Sequence, residues 1–168
     1  PHLLIVDDDA DIRSQLKWGL ADDYTILLAE DRPSGLREFL AHRPPVVLLD
    51  LGLPPAPSDP DEGLSALAEM LASDGRAKII ITTGQSEKAT ALKAIGGGAY
   101  DFLCKPLDMG ELRLILQRAH HVSRLEREYE QLQGLIQAEG MNGMIGGSPA
   151  MQAAFQIIRK VAGTDAPV

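Results

Sequence analysis

The chain has one cysteine, one tryptophan and no apolar run long enough to cross a bilayer. Cys104 cannot form an internal disulfide, which suits the cytoplasm, and its place inside an apolar run reads as a small buried hydrophobe. Positive charge is scarce: 16 Lys and Arg face 24 Asp and Glu, a formal net charge of −8, which argues against nucleic acid or an anionic membrane as the direct partner of this piece. A DNA-binding region would have to lie downstream. No signal peptide is visible, and because the first residue is Pro rather than Met a trimmed chain is expected. Neither G-x-x-x-x-G-K-[ST] nor G-x-G-x-x-G occurs, so nucleotide binding has no support. Aromatics are also few, at 4%, so the core must be aliphatic; 168 residues suffice for one such core plus an appendage.

What is present is a series of short aliphatic runs. Val46-Val47-Leu48-Leu49, entered from Pro44-Pro45, reads as a strand buried on both faces and ends on Asp50. Strands are likewise expected over residues 3 to 7, 24 to 28, 78 to 82 and 100 to 104. Helices are expected between them: about 11 to 20 (Ile12, Leu16, Gly19, Leu20), one opened by Pro33 and carrying Leu36, Phe39 and Leu40, about 62 to 72, and one from Ser86 to the Gly96-Gly97-Gly98 stop. Residues 53 to 63 hold four prolines and several acids and predict a long extended loop. Five strands alternating with helices in roughly 120 residues predict an α/β fold with a doubly wound parallel sheet.

From about Asp108 the pattern is one long helix. Val122, Leu125, Tyr129, Leu132 and Ile136 alternate three- and four-residue spacings with charge between them, a short heptad seam that predicts a homodimer through residues 108 to 138. Residues 140 to 147 read as a glycine-rich hinge, and Pro149 to Val161 as a separate amphipathic helix without a core of its own. His120 and His121 are expected to be solvated or interfacial helix residues.

In an open parallel sheet the working groups gather at the carboxyl ends of the strands. Asp7 and Asp8 from one strand end and Asp50 from another would repel one another, so something positive must sit among them. Oxygen-only ligands select a hard cation, and a site with few protein ligands suits Mg²⁺ better than Ca²⁺. A calcium loop beginning at Asp7 fails because Ile12 and Trp18 stand where Gly and Glu are required. Lys105 supplies an ammonium and Thr83 a hydroxyl. A carboxylate flanked by a metal, an ammonium and a hydroxyl is an acceptor for a phosphoryl group. A phosphate-ester hydrolase with a D-x-D-x-[TV] nucleophile motif fits Asp7 and Asp9 but meets Asp11 where Thr or Val is wanted. Alternation along the strand is expected to select Thr83 over Thr82, only one of which can reach Asp50.

Asp7-Asp8, Asp50 within L-L-D-L-x-L-P, Thr83-Gly84 and Gly98 to Pro106 (G-A-Y-D-F-L-C-K-P) together resemble the receiver domains of bacterial two-component response regulators, over residues 3 to about 120. The resemblance implies a flavodoxin-like strand order 2-1-3-4-5, extended here by the C-terminal helix. It implies that Asp50 accepts a phosphoryl group from a sensor histidine kinase, and that Asp8 and Asp50 hold Mg²⁺ directly, with Asp7 acting through water and Gly52 through its carbonyl. Thr83 and Lys105 would bind the phosphoryl oxygens, and Lys105-Pro106 would be cis. Phe102 stands at the family's aromatic switch position; a switch and a plain packing role are both open.

The tail, Met144 to Met151 with Ile157 to Ala162, resembles the opening of the AAA+ ATPase domain of sigma-54-dependent activators. The expected organisation is a receiver at 1–120, a coiled-coil linker at 108–139 and a truncated ATPase start at 140–168. The ATPase and DNA-binding domains would lie outside this chain, and the receiver would promote its own Mg²⁺-dependent phosphotransfer and dephosphorylation without being an enzyme in its own right. The proline-rich loop resembles the regulators that accompany PEP-CTERM sorting systems. The competing expectation is a constitutive dimerisation module with vestigial phosphorylation.

Overall fold

The computed structural model describes residues 1–57, 59–84 and 88–142, the side chains of 88 and 135–142 excepted. The aliphatic runs form a five-stranded parallel sheet in the order β2-β1-β3-β4-β5. Its strands are β1 (His2–Val6), β2 (Thr25–Ala29), β3 (Val46–Asp50), β4 (Lys78–Thr83) and β5 (Asp101–Cys104). The connecting helices are α1 (Ala10–Leu20), α2 (Arg32–His42), α3 (Asp61–Ser73) and α4 (Lys88–Gly96), followed by α5 (Met109–Asn142). Ser86, the expected start of α4, and residues 143–168, with the expected ATPase opening, lie outside the described residues. Pro1–Glu126 form one compact unit, and Arg127 begins a second.

Alternation along each strand divides the aliphatic side chains between two cores. Leu4, Val6, Val47, Leu49, Ile79 and Ile81 pack on one side with Phe39, Leu67 and Met70 from α2 and α3. Leu3, Ile5, Val46, Leu48, Ile80 and Leu103 pack on the other with Leu16 and Leu20 of α1 and Leu112 and Leu116 of α5. β3 is buried at every position, as a central strand covered on both faces must be. Leu40, one of the apolar residues that mark α2 in the sequence, is exposed, one position past the buried Phe39. Trp18, the only tryptophan, is 81% exposed on α1.

The helix ends follow local chemistry. Asp9 caps α1 by accepting from the amides of Asp11 and Ile12. Asp31 and Ser34 form a reciprocal capping box at α2, with Pro33 in its first turn. α4 stops because Gly98 takes a φ of 103°, a region open to glycine, while the amides of Gly98 and Ala99 bond back to Ile95 and Ala94. The helix α5 runs without a break through Gly134 and Gly140, the latter expected to open a hinge.

Within the first unit α5 is fastened at several points. Arg113 donates to the Gly19 carbonyl and Asp23, and Arg118 pairs with Asp101 of β5. Lys78 at the start of β4 pairs with Glu126, its Nζ 2.7 Å from the carboxylate. His120 stacks on Tyr24 at a centroid distance of 4.8 Å, so it is interfacial, whereas His121 is exposed near Arg124. Burial raises the Tyr24 phenol above its ordinary pKa, and the charge of Asp23 adds to the effect.

Candidate functional site

Parallel pairing brings the carboxyl ends of all five strands to one edge. Asp50 is the last residue of β3, and alternation from Val46 and Leu48 aims it at the α1/α5 side. The ladder continues one step past β1, where the Asp7 amide donates to the Ala29 carbonyl, and one step past β5, where the Lys105 amide donates to the Thr83 carbonyl. Asp7 thus follows Leu3 and Ile5, and Lys105 follows Leu103, onto that same side. Pleat and register together gather three charged groups that are 43 or more positions apart in sequence.

Lys105 Nζ lies 2.8 Å from Asp50 Oδ2 and 2.9 Å from Asp7 Oδ2, bridging the two buried carboxylates. Asp8 is exposed, and one oxygen of each of Asp7, Asp8 and Asp50 falls within 4.8 Å of the others. An all-oxygen set with one exposed member fits a hard divalent cation that keeps part of its water shell, which agrees with Mg²⁺. Asp7 is itself held: its Oδ1 accepts from the Asp9 amide at 2.9 Å and its carbonyl from Arg13 at 2.6 Å. Because Asp9 spends its carboxylate on the α1 cap, it is engaged away from any D-x-D chemistry.

Burial raises the Asp50 carboxyl above its ordinary pKa. The hydrogen bond and charge of Lys105 oppose that shift, the charge of Asp7 adds to it, and the Gly52 amide, which donates to the Asp50 side chain, opposes it. Burial alone would pull the Lys105 ammonium down, but its hydrogen bonds to Asp50 and Asp7 and their charges carry it above its ordinary value. The site therefore holds a basic, partly desolvated carboxylate against a firmly protonated lysine.

The other expected residues take varied places. Gly52 sits at the apex of a tight turn in which the Leu53 amide donates to the Leu51 carbonyl at 3.0 Å. Thr82 and Thr83 are both buried. The register pairs Asp50 with Thr82, so the alternation expected to select Thr83 does not do so; Thr83 stands one step nearer the carboxyl edge, where its carbonyl accepts from the Lys105 amide at 2.7 Å. Thr83 is the last residue of β4, paired with Cys104. Phe102 is half-buried against the α2–α4 core. The Lys105–Pro106 and Pro54–Pro55 peptide bonds are both cis.

Gly63 was not among the expected site residues. A methyl group there would meet Leu51 Cα at 2.5 Å, Leu51 O at 2.7 Å and Asp50 O at 2.8 Å, so the first turn of α3 lies directly on the backbone that carries Asp50. A glycine inside the first turn of a helix costs stability unless packing requires it, and that was the available signal.

The family described as "Response regulator receiver domain" matches residues 3–117. The regulatory protein AtoC of Escherichia coli is 32% identical over 99% of this chain, and the nitrogen assimilation regulatory protein NtrX of Azorhizobium caulinodans 33% identical over the same share. The chain covers 36% of the length of each of these relatives. Among solved structures, NtrX from Brucella abortus in complex with ADP superposes with a TM-score of 0.71 at 32% identity, over 98% of this chain and 35% of that one. A receiver domain protein from Clostridium thermocellum, 27% identical, superposes with a TM-score of 0.68 over 74% of this chain and 97% of that one.

Proposed function

The chain belongs to the response regulator receiver domain family, and from that premise we propose that it is a phosphorylation-dependent switch whose acceptor is Asp50 and whose donor is a sensor histidine kinase. The observation that carries the reading is the Lys105 ammonium bridging the buried Asp50 and Asp7 at the carboxyl edge of the sheet. An oxygen of Asp50 forms a new bond to phosphorus while the bond from phosphorus to the donor nitrogen breaks, and the donor imidazole leaves with that electron pair. Lys105 stands ready to take a phosphoryl oxygen in place of a carboxylate oxygen. Mg²⁺ held by Asp7, Asp8, Asp50 and the Gly52 carbonyl would neutralise charge on the phosphoryl oxygens. Asp50 must be ionised to act, and the hydrogen bond and charge of Lys105 favour that form. Hydrolysis of the same aspartyl phosphate resets the switch.

Phosphorylation shifts a two-state equilibrium that Thr83 and Phe102 report to the face made by α4, β5 and α5. The output is a homodimer through residues 108 to 138. Leu125 and, in the second unit, Tyr129 and Leu132 are 48%, 61% and 58% exposed, an apolar series at heptad spacing that a second copy would cover. In the full-length protein the dimer would govern a sigma-54-activating ATPase and a DNA-binding domain in the cytoplasm, a reading supported by the transcriptional regulators among the relatives. The proline-rich loop supports placing the chain with the PEP-CTERM-associated regulators. No helix among the described residues is long and apolar enough to cross a membrane.

The test is intact mass of the wild-type chain and Asp50→Asn after incubation with acetyl phosphate, with and without Mg²⁺, paired with light scattering. A Mg²⁺-dependent adduct on wild type alone, with a change in oligomer mass, is the expected outcome. No adduct on a folded chain, even with beryllofluoride failing to bind, would leave the exposed seam as the working part and favour constitutive dimerisation. Turnover of added phosphomonoesters would instead support the hydrolase.

A further inference from the structure

The proline-rich segment between β3 and α3 returns to the site it departs from. Leu53 is fully buried, the chain then runs out through exposed Pro55 and Ala56, and the Asp59 amide donates to the Ala56 carbonyl at 2.8 Å. The Pro57 carbonyl lies against Gly52: a methyl group built on Gly52 would lie 2.7 Å from Pro57 O and 3.7 Å from Asp50 Oδ2. Gly52 has no positive φ, so its backbone would accept any L-residue. The one obstacle to a side chain at position 52 is the Pro57 carbonyl, backbone that cannot swing aside as a flexible side chain would. Position 52 is therefore glycine because the loop rests on it.

We propose that the proline-rich segment is a positioning element of the phosphoacceptor site, bearing through the Pro57 carbonyl on Gly52 and so fixing the residue whose amide holds the Asp50 carboxylate and whose carbonyl would be offered to a bound Mg²⁺. The proposal rests on the reading of Asp50 as a Mg²⁺-dependent acceptor and adds a part to it. Prolines at 54, 55, 57 and 60 suit that task, since each fixes one backbone dihedral and limits the ways the segment can relax. Asp61 begins α3 just beyond, its amide donating to Asp59 Oδ1 at 3.1 Å, so the segment is tied at its far end as well. The segment is a strut between the helix that packs on the Asp50 backbone and the peptide that follows it.

The test uses the whole chain in four forms: wild type, Gly52→Ala, a deletion of residues 56–59, and the two combined. Mg²⁺ affinity is measured by titration calorimetry, phosphorylation by intact mass with acetyl phosphate, and folding by circular dichroism. Gly52→Ala should weaken Mg²⁺ binding about tenfold, the scale seen when groups that orient a metal's ligands are displaced, and slow phosphorylation in step. The deletion alone should weaken Mg²⁺ binding as well, and Gly52→Ala should then add nothing, because the obstacle it strikes is gone. Equal losses from Gly52→Ala with and without residues 56–59, or a deletion that binds Mg²⁺ as wild type does, would overturn the proposal. Should the deletion not fold, Pro55→Gly with Pro57→Gly loosens the segment at full length and carries the same expectation. If wild type itself neither binds Mg²⁺ nor forms an adduct, the acceptor reading falls first, a result separable from any difference among the variants.

Discussion

Gly63→Ala tests how closely α3 is seated on the acceptor strand. In the interior of a helix, Ala is favoured over Gly by about 0.8–1.0 kcal/mol, so with room to spare the substitution would stabilise the chain. There is no room: the added methyl would meet three backbone atoms at 2.5, 2.7 and 2.8 Å. Restoring ordinary carbon contact distances requires the first turn of α3 to withdraw by roughly 1 Å. Overpacking of this kind typically costs about 1–3 kcal/mol, and backbone on both sides leaves little relief, so the upper part of that range applies. After the helix-propensity gain, a net loss of roughly 1–2 kcal/mol remains, a drop of about 1 M or less in the urea midpoint. Urea unfolding followed by far-UV circular dichroism measures it, with Gly96→Ala as a control because nothing lies within 4 Å of a methyl there. A Gly63→Ala chain as stable as wild type, or more so, would refute the seating argument.

Asp50→Asn should raise stability at pH 7. The folded-state pKa of Asp50 is raised, so its contribution is fully present below the unfolded value near 3.9 and is lost as pH rises through the folded value; the advantage of Asn should therefore fade on acidification toward pH 4, read as urea midpoints across pH. Thr83→Val should leave the aspartyl phosphate able to form but abolish the accompanying change in light scattering, while Thr82→Val should keep it; the opposite result would assign the role to Thr82, which the register pairs with Asp50. Lys78→Met should cost less than about 1 kcal/mol, since the Glu126 side chain is 42% exposed. Glu126→Ala should cost more, roughly 1–3 kcal/mol, because it strands an ammonium whose side chain is only 13% exposed.

The strands were legible because both faces of the sheet are covered, which turns them into aliphatic runs a few residues long, each closed by Gly, Pro or Asp. The acidic trio and Lys105 were legible for a related reason: strands that are all parallel deliver their ends to one edge whatever the details of packing. What the sequence could not convey was register and close approach. The choice between Thr82 and Thr83 depends on a one-residue offset between β3 and β4 that no local pattern encodes. Glu126 reads in the sequence as one of the charges between the heptad positions, and only the fold brings it to Lys78, 48 positions away. The roles of Gly52 and Gly63 are matters of empty space, which becomes visible only when the neighbouring backbone is in place.

The single indole of Trp18 has a spectroscopic consequence. It already stands in water in the folded chain, so its emission should change little on unfolding, and a melt followed by tryptophan fluorescence would under-report the loss of the core. That same exposure makes it a label-free sensor of α1. A protein settling over this helix would dry the ring and shift its emission to the blue, while binding events confined to the distant surface of α4 would leave it silent. One native residue thus separates docking at one flank of the domain from events at the other without any added dye.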